Sequence, residues 1–187
     1  MVSLASLWLP ILVSAVAVFF VSFLLHMVLR YHTTDFERLP AEDAIADALR
    51  ANNVAPGDYM MPHGGGPEAM KDPAFVARIE RGPNAVMTVT PGRKPSMGAE
   101  LTNWFIYLLV ISFVSAYVAS RALSPGADYL DVFRFAGTTA FVAYGLGQWP
   151  DTIWYKRKVS TQVKNTFDGL VYALVTAGVF GWLWPNS

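Results

Sequence analysis

The stretch from Pro56 to Pro73 concentrates side chains that can bind or polarise a ligand. Asp58, His63, Glu68 and Asp72 offer the oxygen and imidazole donors of a hard or borderline cation site, and Met60, Met61 and Met70 with His63 offer a soft set suited to copper. The run His63-Gly64-Gly65-Gly66 matches the oxyanion loop of some lipases and esterases, but no Gly-x-Ser-x-Gly supplies a nucleophile, so acyl hydrolysis is not expected. The plainer reading is a tight Gly-Pro interface loop, in which glycines permit close backbone approach. His26 is the other candidate. It lies in an apolar run four residues before Arg30, where an imidazole can ligate a haem iron or a chlorin magnesium. At that depth a snorkelling polar residue is ordinary, and His32 reads as a solvated flank.

The elements that must position these residues follow from composition. Of 187 residues, 53% are apolar and 15% charged, against about 25% charged in soluble domains. Net charge is zero, which gives no global field for nucleic acid, and the absence of cysteine excludes disulfides, thiolate zinc sites and Fe–S ligation. The apolar residues fall in runs of the length a membrane helix requires, about 20 residues. The expectation is an all-α membrane protein with four transmembrane helices, at 7–29, 103–123, 132–150 and 168–184, and a small α+β cytoplasmic insertion at 30–102 between helices 1 and 2. The first run lacks a basic n-region, so it reads as a retained helix rather than a signal peptide. The fourth run is short for a span.

Orientation follows from the flanking cations. Arg30, Arg38, Arg93, Lys94, Lys156, Arg157, Lys158 and Lys164 fall on one side, Arg121 and Arg134 on the other. This places 30–102 and the 151–167 loop in the cytoplasm and both termini in the periplasm of a bacterial inner membrane. Trp8, Trp182 and Trp184 then mark the outer interface, and Trp104, Trp149, Trp154 and Tyr155 the inner one. Within the insertion, the pattern predicts a helix opened by Pro40, a helix from Asp72-Pro73 to Gly82-Pro83, and a strand over 84–90 that pairs with 59–61. Some seventy residues make a marginal core.

The spans show no ionisable residue at mid-depth: Arg121, Arg134, Asp151 and Asp168 read as span ends, and Thr138, Thr139, Tyr144 and Gln148 are the only candidates for a polar pathway. Small residues recur at helix-packing spacing instead. Gly169, Ala173, Ala177 and Gly181 form one stripe, Ser112, Ala116 and Ser120 a second, and Ala143 and Gly147 a third. They serve internal packing or an interface with a partner's helix.

The middle motif Pro-Gly-Asp-Tyr-Met-Met-Pro-His-Gly-Gly-Gly-Pro-Glu-Ala-Met-Lys-Asp-Pro-Ala-Phe, with Pro-Ser-Met-Gly at 95–98, Ile-Trp-Tyr-Lys-Arg at 153–157, Thr-Phe-Asp-Gly-Leu at 166–170 and the terminal Gly-Trp-Leu-Trp-Pro, resembles a group of uncharacterised bacterial membrane proteins of similar length. The resemblance covers nearly the whole chain. It implies four spans with a soluble insertion and carries over no catalytic residue. The expected function is a non-enzymatic accessory subunit of an energy-transducing membrane complex, photosynthetic or respiratory. Its partners would be other membrane subunits and lipids. It would hold no cofactor of its own, although it could touch pigments or lipids held by partners. The alternatives are a sensor that binds metal through Asp58, His63 and Glu68, or a homo-oligomeric small-molecule transporter.

Overall fold

A computed structural model describes residues 1–94 and 96–186. The chain divides into two units, Met1–Glu37 with Ser96–Ser187, and Arg38–Pro95. The first is a helical bundle. Helix α1 (Trp8–Phe23) is preceded by a 3-10 turn, Leu4–Leu7, and continued by a π-helical turn, Leu24–Val28. Helix α4 (Met97–Ala122) returns, α5 (Tyr129–Phe141) runs on into a second π-helical turn, Val142–Leu146, the short α6 (Trp149–Tyr155) follows, and α7 (Val159–Trp182) completes the bundle. Helices α1 and α4, α4 and α5, α5 and α7, and α7 and α1 pack in a closed ring. The stretches Leu4–Val28 and Met97–Ala122 are long and apolar enough to cross a membrane.

The interior is built from small side chains. Ala15, Ala116, Ala119, Ala136, Ala140 and Ala177 are fully enclosed, as are Ser14, Ser112, Ser115, Ser120 and Thr176. Ser14 and Ser112 join α1 to α4 by a hydroxyl–hydroxyl bond of 3.0 Å. Many large apolar side chains point outward: Phe20 and Phe23 on α1, Val110 and Phe113 on α4, Phe135 on α5, Leu170 and Leu174 on α7. Two core clusters mark the two ends. One gathers Leu25, Leu108, Tyr144 and Tyr172; the other gathers Val2, Leu7, Val132, Phe180 and Trp184.

The small-residue stripes are spent inside this bundle. A Cβ on Gly169 would stand 2.5 Å from the Cα of Gly145, so the backbones of α7 and the second π-turn touch. Ala173 and Ala177 are buried, and Gly137 of α5 sits against Ala177. Gly181 lies under the ring of Tyr129. Ser112, Ala116 and Ser120 are buried, Ala143 is half-buried, and Gly147 is exposed with only ordinary contacts. The residue that makes the close crossing is therefore Gly145 rather than Gly147.

Three boundaries differ from the sequence expectation. Helix α4 starts at Met97, six residues before 103. Helix α5 starts at Tyr129, and its π-helical continuation ends at Leu146; α6 then opens on Trp149 and carries Asp151. The last helix starts at Val159, nine residues before Asp168, because Val159–Phe167 is helical rather than loop. At 24 residues it is about 36 Å long, its first turns carrying the polar Gln162, Lys164 and Asn165 ahead of the apolar run. Asp168 consequently lies inside a helix. Trp184 is buried and donates to the Ser124 carbonyl at 3.0 Å, while Trp8 and Trp182 face outward.

The second unit begins at Arg38, so residues 30–37 belong to the bundle and not to the insertion. It comprises α2 (Glu42–Ala51), the hairpin strands β1 (Gly57–Met61) and β2 (Ala85–Val89), and α3 (Pro73–Arg81). The strands pair antiparallel, from Gly57 opposite Val89 to Met61 opposite Ala85. Helix α3 is capped by the Asp72 carboxylate, which accepts from the Ala74 N–H at 2.9 Å. It starts at a proline and ends before Gly82, as the sequence punctuation predicts. No described residue of this unit is fully buried, in keeping with a marginal core.

Overpacking a backbone-to-backbone contact costs roughly 1–3 kcal/mol. Gly169→Ala is expected to lower the thermal unfolding midpoint of the purified protein, and Gly147→Ala to leave it within error. Equal midpoints for the two variants would refute the backbone crossing.

Candidate metal centre

The site grows from a ten-residue stretch at the end of the first helix. The π-turn places His26 so that its Nδ1 lies 3.1 Å from the Ser22 carbonyl. Arg30 then takes a left-handed conformation, φ 53°, which costs a non-glycine residue on the order of 1 kcal/mol. That turn folds the next residues back as a 3-10 turn, Tyr31–Thr34. His32 is thereby stacked on His26, with ring centroids 4.5 Å apart and planes 2° from parallel.

Both imidazoles converge on Asp168 of α7. His32 Nε2 is 2.7 Å from Asp168 Oδ2 and His26 Nε2 is 3.7 Å from the same oxygen. The Tyr31 hydroxyl donates to the other oxygen, Oδ1. A second layer fixes the first. Asp35 Oδ2 is 2.6 Å from His32 Nδ1, and Asp35 Oδ1 accepts from Lys164 Nζ at 2.7 Å. Lys164 also donates to the Tyr31 carbonyl at 2.7 Å and to Thr34 Oγ1 at 2.9 Å, tying the 3-10 turn to α7. Lys158 holds the end of the stretch through Glu37 at 2.8 Å, and it pulls the Glu37 carboxyl below its usual value.

The hydrogen positions follow from the partners. A carbonyl only accepts, so His26 Nδ1 carries its proton and Nε2 presents a lone pair in the neutral ring. Asp35 is held ionised. Burial opposes its charge, but hydrogen bonds from Lys164 and His32 outweigh it and hold the carboxyl below its ordinary value. His32 Nδ1 therefore donates to Asp35, and its Nε2 lone pair also faces Asp168. Two lone pairs and a carboxylate oxygen directed at one point need a positive charge among them. A proton on His32 supplies it, and so does a divalent cation. The three donor atoms lie within 4.8 Å of one another. Ligands about 2.0–2.1 Å from a tetrahedral ion stand about 3.4 Å apart, so an ion would push His32 Nε2 away from Asp168 Oδ2, now 2.7 Å from it, and draw His26 Nε2 in from 3.7 Å. Asp35 behind His32 is the carboxylate–histidine pairing that commonly orients a metal-bound imidazole.

This centre corrects the sequence reading at two residues. His32 is no solvated flank: its side chain keeps 13% of its surface and is bonded at both nitrogens. Asp168 is no span end but a buried acid within a helix. His26 faces that acid rather than an open apolar slot for a haem or chlorin. The loop set Asp58, His63 and Glu68 is not drawn together. Asp58 accepts from Thr88 at 2.6 Å, Glu68 pairs with Lys71 at 2.7 Å, Asp72 caps α3, and His63 is exposed. The glycines after it have packing reasons: a Cβ on Gly64 would strike Phe75 at 2.6 Å, and Gly65 has φ +73°. Tyr144 and Gln148, weighed as part of a polar pathway, line a cleft of about 210 Å³ beside the centre, with Trp104, Tyr107 and Tyr172. Thr139 bonds its own helix, at the Phe135 carbonyl. The signal in the sequence is the spacing His26-x5-His32-x2-Asp35, which straddles the end of the first apolar stretch.

Removing the Asp35 charge deletes charge-assisted bonds worth about 1.5–3 kcal/mol. Because the folded carboxyl sits below its ordinary value of 3.8, its contribution is fully present above that pH and is lost as pH falls through the folded value. Asp35→Asn is thus expected to unfold earlier than wild type at pH 7, with the gap closing below pH 3.8 in a pH series of thermal melts. A gap that widens on acidification would contradict the assignment.

Compared with known proteins, the chain matches no family model, no curated protein and no solved structure, so its chemistry is read from the geometry alone.

Proposed function

We propose that the chain is a four-span membrane protein that holds a first-row divalent cation, zinc or iron(II), at one end of its bundle through His26, His32 and Asp168. The observation that carries this is the convergence of two imidazole nitrogens and a buried carboxylate, each oriented by its own partner. Two histidines and one carboxylate are a common set for such ions and leave coordination positions open, the arrangement of ions that meet a ligand rather than brace a fold.

The four-span reading is supported by the bundle's inverted pattern, small and hydroxyl side chains within and large apolar ones outside, on α5 and α7 as well as on α1 and α4. An acid buried in such a helix needs a partner and marks a functional site. The excess of Lys and Arg at the Arg30–Glu37 and Lys156–Lys164 end supports a cytoplasmic centre with both termini periplasmic. The accessory-subunit expectation drew in part on small-residue stripes that could receive another protein's helix. Most of those residues pack within the bundle, and the metal centre gives the more specific reading.

Metal analysis of protein purified in maltoside detergent is expected to give about one equivalent of divalent metal. His26→Ala and His32→Ala should lose it, Asp35→Asn should bind it some 10–100-fold more weakly as a residue that orients a ligand, and His63→Ala should keep it. Full metal retention in His32→Ala would sink the proposal.

A further inference from the structure

The centre opens onto a second cleft, of about 450 Å³, at the same end of the bundle. His26 and His32 form part of its wall. His26 keeps 47% of its side-chain surface, so an ion held there is reachable.

Two residues of the lining, Thr161 and Gln162, carry buried polar atoms that the fold leaves without a partner. Gln162 is 4% exposed, yet its amide nitrogen has no partner, and neither has the hydroxyl of Thr161 beside it. A buried donor without an acceptor is costly, and one kept beside a cleft is explained by an acceptor that enters there. Arg157 stands on the same wall, and its guanidinium enters no ion pair among the described residues. The other charges are largely spoken for: Asp35 by Lys164 and His32, Lys158 by Glu37. Asp151 is the remaining acid of the lining. With a dication in place, the balance around the cleft is positive.

We propose that this cleft binds a phosphate-type oxyanion, with one oxygen on the metal and the others on Arg157 and the Gln162 amide. The proposal rests on the metal-centre reading. Phosphate fits because three separate donors must be met at once, and its oxygens can be shared among an ion, a guanidinium fork and an amide. A carboxylate has only two oxygens. The cleft falls in the size range of small-molecule sites, so the phosphate can carry an organic group. Free phosphate esters and phospholipid head groups offer the same chemistry.

The test uses the full chain in maltoside micelles, which contain no phosphate, loaded with one equivalent of zinc. Calorimetric titration with inorganic phosphate is expected to show binding that requires zinc. Arg157→Gln should weaken it at least tenfold and Gln162→Leu severalfold, with zinc stoichiometry unchanged. Gln162→Leu should melt no earlier than wild type, since it removes an unpaired donor. Zinc bound without phosphate binding, or equal affinity in both variants and wild type, overturns this proposal and leaves the metal centre standing. No zinc bound in wild type overturns both. Competition by dihexanoyl phosphatidic acid that exceeds the affinity of inorganic phosphate assigns the site to a lipid head group. Phosphate binding untouched by that lipid assigns it to soluble phosphates.

Discussion

The carboxylate of Asp168 governs the local structure around it. It lies ten residues into a helix that packs on two others, with almost no surface of its own. An ionised group in that position is unstable unless hydrogen bonds and positive charge meet both oxygens. Tyr31 donates to one oxygen; the other faces the ring nitrogens of His32 and His26, and a proton or a cation between them supplies the positive charge. To bring Tyr31 and His32 there, the chain leaves the first helix through a π-turn, accepts a left-handed arginine and folds back on itself. Lys164, one turn before Asp168, clamps that return to α7. The irregular stretch from the first π-turn to Thr34 thus ends with two of its side chains on one acid.

Packing supplies the precision. Gly145 and Gly169 bring two backbones into contact immediately beside Asp168. Such a contact has no flexible side chain to yield, so the height of Asp168 is set by the main chain itself. Both π-turns lie at this end, one carrying His26 and the other Tyr144. π-turns recur at functional sites because one extra residue re-aims the side chains around it. The opposite end closes with ordinary devices, such as Arg121 donating to the Val2 carbonyl and the indole of Trp184 on Ser124.

Much of the fold was legible in the sequence, because apolar runs and Gly-Pro punctuation are local signals. Asp72-Pro73 and Gly82-Pro83 bound α3, and 84–90 contains β2. The spacing of Gly169, Ala173 and Ala177 marked a close-packed face. The site was not legible. His32 and Asp168 are 136 residues apart, and no periodicity links them. Asp168 resembled a span boundary because Lys164 and Asn165 precede it; the bundle hides these polar residues by giving each a partner, and the helix runs through them. The loop at His63 drew notice through rare composition, but two of its glycines answer to Phe75 and to backbone geometry, which composition cannot report.

The centre draws its parts from the two extremes of the chain. His26, His32 and Asp35 belong to the first fifth of the polypeptide, while Lys164 and Asp168 belong to the last helix. A ribosome delivers the imidazoles long before the acid they require. Until α7 is threaded into place, two rings and Asp35 stand without their counterpart, and afterwards they lock it. The centre is therefore a long-range contact in the strict sense: without α7 against it, the first segment carries His26, His32 and Asp35 and has no Asp168 for them to face.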